Sequence, residues 1–288
     1  MSRAFLGVAL LALNASAWCV IAAPPRALFP NNLHLTRQVQ DPLSGTAVTI
    51  EEYCSGNRMV AVSGDRTVVV DYDKQEITEI DRRAGTYSVS RFSDIAGLAA
   101  ESGGATSRRQ SAAATTGPAA RERWKVTPQG VRGAAGRSVE QFEFVDDGEL
   151  RRKVDVGVDR SVPLTREAVE VLIGAAYPNT PREEHEPVLR AAAARTEGRG
   201  LAATDADAAA AEDKPTYGLP VTQAFTFSDS GTELTFRSTI TRVGAETAPA
   251  EALLIPPGAK RVESPASAVR RQLRELDHPG STSVPREN

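Results

Sequence analysis

The sequence predicts an α+β protein, in which two or three helices cover the concave face of one large, curved antiparallel β-sheet. Short runs with apolar residues at every second position recur through most of the chain and predict about nine to eleven strands. One further stretch has the apolar spacing of an amphipathic helix. The 288 residues suffice to bury a full core, so we expect a single β-rich domain over residues 31–262.

The first 22 residues have the parts of a secretory signal peptide. Arg3 supplies a positive charge, and the apolar run that follows is too short to span a bilayer comfortably. Small residues permit cleavage after Ala17 or after Ala22. We therefore expect an exported protein, periplasmic or extracellular, whose mature chain has no transmembrane segment.

The fate of the two cysteines depends on the cleavage site. Cleavage after Ala17 would keep Cys19, which could then pair with Cys54 in an oxidising compartment. Cleavage after Ala22 would leave Cys54 as a single buried thiol. Trp18 stands where a lipid-attachment motif needs a small residue, which disfavours a lipid anchor on Cys19.

Charge and composition exclude several classes of partner. The chain has 34 basic and 37 acidic residues and a net charge of −3, so its surface as a whole would not attract nucleic acid. Aromatic residues make up 5% of the chain, which argues against a sugar-binding or base-stacking surface.

Residues 45–92 predict the part of the sheet around which the rest is organised. They form a meander of five short strands, preceded by a first strand over residues 32–40. Gly56-Asn57 and Gly64-Asp65 favour tight hairpin turns, because these residue types tolerate positive φ. The meander itself contains no recognisable catalytic motif.

Two later hairpins complete the predicted sheet. The first joins residues 137–145 to residues 149–158 through Asp147-Gly148, a strong hairpin signal. The second joins residues 219–228 to residues 233–243. Both hairpins carry alternating apolar side chains, so we expect one face of each to be buried.

Four segments are expected to be helical. Ser93 is the predicted N-cap of a short helix that reaches Ala100. A second helix starts from a capping box at Thr180 and is kinked or split by Pro187. Residues 264–278 form a C-terminal helix. The clearest helix is Arg166–Ala176, whose apolar stripe is Val169, Leu172, Ile173 and Ala176.

Three segments lack apolar periodicity. Residues 101–123 and 198–215 are rich in small residues and cannot bury enough surface to offset the cost of ordering, so we interpret them as flexible insertions. Residues 279–288 are expected to be a disordered tail.

Two features of the sequence resemble a known superfamily. The run Ala250–Ala259 follows the last hairpin and contains Pro256-Pro257-Gly258, and Asp81–Tyr87 forms a step in the middle of the meander. With the order of the elements, these residues resemble the LolA/LolB-type lipoprotein carriers, over residues 33–262. The resemblance implies a half-open antiparallel barrel covered by helices, which holds acyl chains or other apolar ligands, and a lipoprotein as a partner.

Catalytic and metal-binding motifs are absent from the sequence. No nucleophile elbow, phosphate-binding loop, dinucleotide fingerprint or zinc-protease motif occurs. The consecutive residues 183–186 fan around a helix start and cannot converge on a metal. An acidic band lacks the glycine of a calcium loop and predicts a solvent-exposed charged hairpin: Asp71, Asp73, Glu76, Glu79 and Asp81. We assign no cofactor, no metal and no catalytic residue.

These features favour an exported, non-enzymatic binding protein that carries a lipid, a lipoprotein or another apolar ligand between sheet and helices. The alternative is a cell-envelope scaffold protein, in which the same residues form a filled core. A hydrolase with dispersed carboxylates stays open, because such pairs come together only in the fold. The candidate ligand-lining residues are Phe142, Phe144, Val169, Leu172, Ile173, Phe225, Phe227 and Phe236.

Overall fold

The computed structural model describes residues 27–95, 124–134, 136–146, 151–176, 185–193, 216–229 and 232–277. The predicted signal peptide, both predicted insertions and the predicted tail lie outside these ranges. The described part combines a large sheet with a few helices, which confirms the predicted α+β class.

Twelve strands form one open sheet in the described residues. They are β1 (Phe29–Gln40), β2 (Ala47–Gly56), β3 (Arg58–Ser63), β4 (Arg66–Asp71), β5 (Glu76–Asp81), β6 (Thr86–Arg91), β7 (Lys125–Ala134), β8 (Arg137–Asp146), β9 (Arg151–Leu164), β10 (Tyr217–Asp229), β11 (Thr232–Gly244) and β12 (Lys260–Arg261). Their order across the sheet is β12-β6-β5-β4-β3-β2-β1-β11-β10-β9-β8-β7.

The strand count exceeds the predicted nine to eleven by one edge strand. The predicted meander and both predicted hairpins are present as antiparallel pairs. The additional strand, β12, has two residues and pairs parallel to β6, with Lys260 opposite Thr86. Two residues cannot show a periodicity, so this strand has no signal in the sequence.

The helices are α1 (Arg166–Ala176), α2 (Glu186–Ala192), α3 (Ala250–Leu253) and α4 (Pro265–Asp277). We call the face of the sheet that packs against α1, α2 and the start of α4 the inner face, and the opposite face the outer face. Residues 92–95 are also helical, while the rest of the predicted helix over Ser93–Ala100 lies outside the described ranges. None of the helices within those ranges is both long and apolar enough to cross a bilayer.

Helix α1 divides the inner core in two, because both of its flanks are buried. Ala168, Val171 and Leu172 belong to a core cluster that includes side chains of β1 to β5. Val169 and Ile173 belong to a second cluster, with side chains of β8 to β10. Full burial of such an aliphatic side chain contributes about 1.5–3 kcal/mol. The helix is therefore fixed to the sheet along its whole described length.

The predicted start of helix α2 at Thr180 lies outside the described ranges, within which the helix runs from Glu186 to Ala192. Pro187, where the sequence predicts a kink or a split, lies in the first turn of this described part. A proline is tolerated there because the first backbone N–H groups of a helix have no intrahelical partner. The C-terminal carbonyls of α2 accept hydrogen bonds from the Arg160 guanidinium on β9, at 2.8 Å for Ala191 O.

The inner face of the meander carries three parallel ladders of side chains, because directly opposite residues of an antiparallel pair project to the same face. The first ladder is Leu33, Cys54, Met59, Val70 and Ile77. The second is Leu35, Glu52, Ala61, Val68, Glu79 and Ser88. The third contains Ser63, Arg66, Asp81 and Thr86. The first is an apolar core, whereas the other two include charged residues.

The segment between β11 and β12 runs over the outer face to the far edge of the sheet. It contains α3, and the Arg82 guanidinium donates hydrogen bonds to the carbonyls of Glu251 and Leu254. Helix α4 follows β12 and is capped by Ser264, whose Oγ accepts a hydrogen bond from the Ser267 N–H at 3.2 Å. The edge of the sheet at β6 and β12 therefore has α3 on its outer side and the start of α4 on its inner side.

Candidate functional site

The predicted ligand-lining residues lie together on the inner face of β8 to β11 and on α1, a region we call the aromatic half. Six of them are fully buried in the core clusters. Phe227 and Phe236 are half-buried and pack edge to face, with ring centroids 6.1 Å apart. The Arg190 guanidinium of α2 lies 5.8 Å from the centre of the Phe144 ring. The helices α1 and α2 thus occupy the space next to these residues.

A cavity of about 170 Å³ lies elsewhere on the inner face, among the second and third ladders of the meander. We call it the Glu79 cavity. None of the eight predicted ligand-lining residues borders it. The inward-facing side chains of its lining are apolar (Ile50, Ala61 and Val68), hydroxyl-bearing (Ser63, Thr86 and Ser88) and charged (Arg66, Glu79 and Asp81). Val262 also borders the cavity, as do Thr67, Ile80 and Tyr87, whose register places their side chains on the opposite face.

Glu79 is the unusual member of this lining. Burial raises its pKa to about 7, although the nearby Arg66 guanidinium and a hydrogen bond from Ser88 act in the opposite direction. The Ser88 hydroxyl lies 3.5 Å from Glu79 Oε2, at the outer limit of a hydrogen bond. Glu79 therefore changes its charge near neutral pH, which an exposed glutamate does not do.

The second acid of the cavity, Asp81, is engaged by protein groups. Arg66 Nε lies 3.4 Å from Asp81 Oδ2, and the Ala84 backbone N–H donates to Asp81 Oδ1 at 2.8 Å. Asp81 follows Glu79 by two positions on the same face of β5, a separation of about 7 Å along the strand. The cavity thus combines one largely desolvated carboxyl with one that is already paired.

A buried ion pair ties the sheet together beside the Glu79 cavity. Arg37 of β1 donates to both carboxylate oxygens of Glu52 on β2, at 2.7 and 2.9 Å, and to Ser238 Oγ of β11 at 2.9 Å. Arg37 and Glu52 are 0% and 1% exposed. Removing one partner of such a pair leaves an uncompensated buried charge. The pair therefore fixes three neighbouring strands in register.

Sequence reasoning overlooked these inner-face charges, although part of the signal was available. Arg37 has the same parity as Leu35 and Val39, and Glu52 lies between Ile50 and Cys54 on one face. A charged residue at a position where the alternation of a strand predicts a buried apolar side chain indicates a buried ion pair or a functional site. Glu79 gave a weaker signal, and the expectation that it is solvent-exposed is wrong.

On the outer face, His34 links the sheet to the segment after β11. Its Nε2 lies 2.7 Å from Glu51 Oε2, and its Nδ1 lies 3.1 Å from Glu246 Oε2. The imidazole stacks on the Tyr53 ring, with centroids 4.3 Å apart and planes inclined by 6°. This contact holds the start of the crossing segment on the sheet.

A second cavity of about 310 Å³ lies on the outer face under the crossing segment. Its charged groups already pair with one another: Arg58 donates to Asp71 at 2.8 Å, and the Asn57 amide donates to Asp73 at 2.8 Å. The Asp71 and Asp73 carboxylates of this lining are therefore engaged by protein groups.

Metal-ion and thiol chemistry have little support among the described residues. Within those ranges, no group of three or more His, Cys, Asp or Glu side chains is arranged to hold a metal ion. Cys54 is 1% exposed, and burial raises the pKa of its thiol well above the ordinary value. A buried thiol of this kind behaves as an apolar core residue. Cys19, its conceivable partner, lies outside the described residues.

The fold and the cavity define an α+β protein with a ligand-sized cavity on the helix-bearing face of an open sheet. No model of a protein family matches the sequence, and no curated protein matches it. Among solved structures, an uncharacterised conserved protein from Thermus thermophilus is similar at 8% identity and a TM-score of 0.37, over 82% of this chain and 91% of that one.

Structures of MucB are similar to a comparable extent. MucB alone aligns at 14% identity and a TM-score of 0.36, over 86% of this chain and 62% of that one. The MucA/MucB complex of Pseudomonas aeruginosa aligns at 14% identity and a TM-score of 0.34, over 85% of this chain and 61% of that one. The chain thus spans less than two thirds of these MucB chains.

Proposed function

We propose that this protein is an exported, non-enzymatic binding protein that holds a small amphipathic ligand in the Glu79 cavity. The observation that carries the proposal is the combination of apolar walls with one largely buried carboxyl. Ligand sites typically pair apolar lining with a small number of placed polar groups and a group of perturbed pKa. Export follows from the predicted signal peptide.

The size of the cavity limits the ligand. An engineered protein cavity of about 150 Å³ binds benzene, so about 170 Å³ accommodates an apolar body of roughly six to eight heavy atoms. Ile50, Ala61 and Val68 would contact that body. A longer acyl chain would extend out of the cavity over Val262 at the edge of the sheet.

Glu79 would select the polar end of the ligand. Above pH 7 its carboxylate favours an ammonium group, and Ser88 adds a hydroxyl acceptor. Below pH 7 the protonated carboxyl instead donates a hydrogen bond to a carbonyl or carboxylate oxygen. Arg66 is held by Asp81 and is less available to an anionic ligand.

Titration with two probes that share one chain tests this proposal. Hexylamine and hexanoate have the same six-carbon body and opposite charges, and binding of either one can be measured by calorimetry at pH 6 and pH 8. We expect Val68→Phe, which fills the cavity, to abolish binding. Val69→Phe places the same ring on the opposite face of β4 and should preserve it. Equal binding by both variants, or none by the unmodified protein, would contradict the proposal.

The aromatic half is a second candidate location for the carrier function that the sequence suggests. Its side chains would line a ligand site if α1 and α2 moved away from the sheet, which would expose Phe144, Phe225 and Ile173. With this arrangement we also propose the half-open-barrel shape and the lipoprotein carriage that the resemblance to the LolA/LolB type implies. Native mass spectrometry of protein purified from its own cell envelope tests it, because a co-purifying lipid would support carriage and its repeated absence would oppose it.

A hydrolase is the second candidate function, because Glu79 and Asp81 line the same cavity. Two acids at alternate positions on one face of a strand lie about 7 Å apart along the backbone, which is compatible with the carboxyl pair of an inverting glycosidase. The ion pair of Asp81 with Arg66 and its hydrogen bond from Ala84 favour a structural role instead. Hydrolysis of a panel of nitrophenyl glycosides that is lost in both Glu79→Gln and Asp81→Asn would decide for the enzyme.

A further inference from the structure

We propose that one edge of the sheet docks the protein onto an anionic lipid bilayer. This docking edge consists of the β5–β6 turn, the residues that lead into β12, and β12 itself. Leu254 and Ile255 are 63% and 42% exposed, and they lie next to each other in the crossing segment. The inference is independent of the ligand in the Glu79 cavity.

Hydrogen bonds hold the apolar residues beside the turn. The Arg82 guanidinium donates to the Leu254 carbonyl at 3.4 Å, and the Lys260 N–H donates to the Gly85 carbonyl at 2.9 Å. Between these contacts the Ala259 N–H donates to the Pro256 carbonyl at 3.0 Å and closes a turn. The exposed leucine and isoleucine are therefore presented by a fixed backbone.

Cations lie in the β5–β6 turn and in β12, the two segments joined by hydrogen bonds next to this apolar tip. Arg83, Lys260 and Arg261 are exposed, and none of them forms an ion pair with another residue of the described ranges. The nearby acids are partly neutralised, since Asp81 pairs with Arg66 at 3.4 Å and Glu263 pairs with Arg271 at 3.0 Å.

The charges at this edge give a positive surplus. Four basic residues outnumber the two remaining acids of the corner, which are Asp65 in the neighbouring turn and Glu251 of α3. The basic residues are Arg82, Arg83, Lys260 and Arg261. An exposed apolar tip with a basic rim is complementary to anionic lipid headgroups over an acyl-chain boundary.

Sedimentation with sucrose-loaded vesicles tests the docking edge in the purified protein. We expect binding to vesicles with phosphatidylglycerol, which weakens as salt is raised, and much weaker binding to pure phosphatidylcholine. Leu254→Ser with Ile255→Ser should reduce partitioning at least about tenfold. Lys260→Gln with Arg261→Gln should reduce it roughly 30-fold.

Matched controls separate this edge from general stickiness. Leu43→Ser removes a leucine that is 80% exposed in the β1–β2 turn, and Arg132→Gln removes an exposed cation of β7. Both controls should bind vesicles like the unmodified protein. The inference is overturned if phosphatidylglycerol vesicles do not bind the protein, if neutral vesicles bind it equally, or if the controls lose binding as much as the edge variants.

Discussion

Replacement of Glu79 by glutamine should stabilise the protein at alkaline pH and change its pH profile. Burial raises the pKa of Glu79 from an ordinary value of 4.5 to about 7 in the folded chain. Below pH 4.5 the side chain is protonated in both states, so it contributes no pH dependence. Between 4.5 and 7 the unfolded chain loses this proton while the folded chain keeps it, and the free energy of unfolding falls.

The size of this effect follows from the difference between the two pKa values. A change from 4.5 to about 7 corresponds to about 3 kcal/mol, all of which is lost once the pH exceeds 7. Glutamine keeps the shape and cannot ionise. We therefore compare the free energy of unfolding of Glu79→Gln with that of the unmodified protein at each pH. We expect this difference to be about 3 kcal/mol more favourable to the variant at pH 8 than at pH 4.5.

Denaturant unfolding of both proteins at pH 4.5, 6 and 8 measures this effect. Glu76→Gln is the matched control, because Glu76 lies on the same strand but faces outward, 3.9 Å from Arg91. A difference between Glu79→Gln and the unmodified protein that stays constant across the three pH values would refute the reasoning.

Three further substitutions test the packing of the sheet. Arg37→Met should lower the free energy of unfolding in urea by about 3–5 kcal/mol, because it leaves the buried Glu52 carboxylate without its partner. The double variant with Glu52→Leu should recover most of that loss. Additive losses would contradict a coupled pair. Gly157→Ala should lower the melting temperature strongly, since a Cβ there would lie 2.3 Å from Thr222 Oγ1. Ser264→Ala should cost about 1 kcal/mol as a lost helix cap, and unchanged α4 amide exchange would oppose this.

The sequence predicts regular elements well where one periodicity dominates. The hairpin β8–β9 and the helix α1 were identifiable because alternation, the Asp147-Gly148 turn and an apolar stripe each give a local signal. The predicted start of helix α2 at Thr180 lies outside the described ranges, and Pro187, which is equally compatible with a kink and with a first turn, lies in the first turn of the described helix.

The candidate site was less predictable, because cross-strand register decides which side chains meet. On β5, Ile77 faces inward and Ile80 is buried on the other face. The pattern of apolar residues on this strand therefore does not predict on which face Glu79 lies. The aromatic residues were recognised as one set, but their packing against α1 and α2 requires the three-dimensional arrangement. A cavity forms where side chains from several strands leave space unfilled. Because those strands are distant in the sequence, no local sequence pattern predicts it.

Methyl NMR of the protein during titration with hexylamine at pH 8 tests the central claim, ligand binding in the Glu79 cavity, most directly. The cavity and the aromatic half have different methyl-bearing residues, so a single spectrum distinguishes them. We predict that the resonances of Ile50 and Val68 shift with the probe, while those of Val169, Leu172 and Ile173 do not. Shifts confined to the α1 methyls, or no shifts at all, would contradict the account.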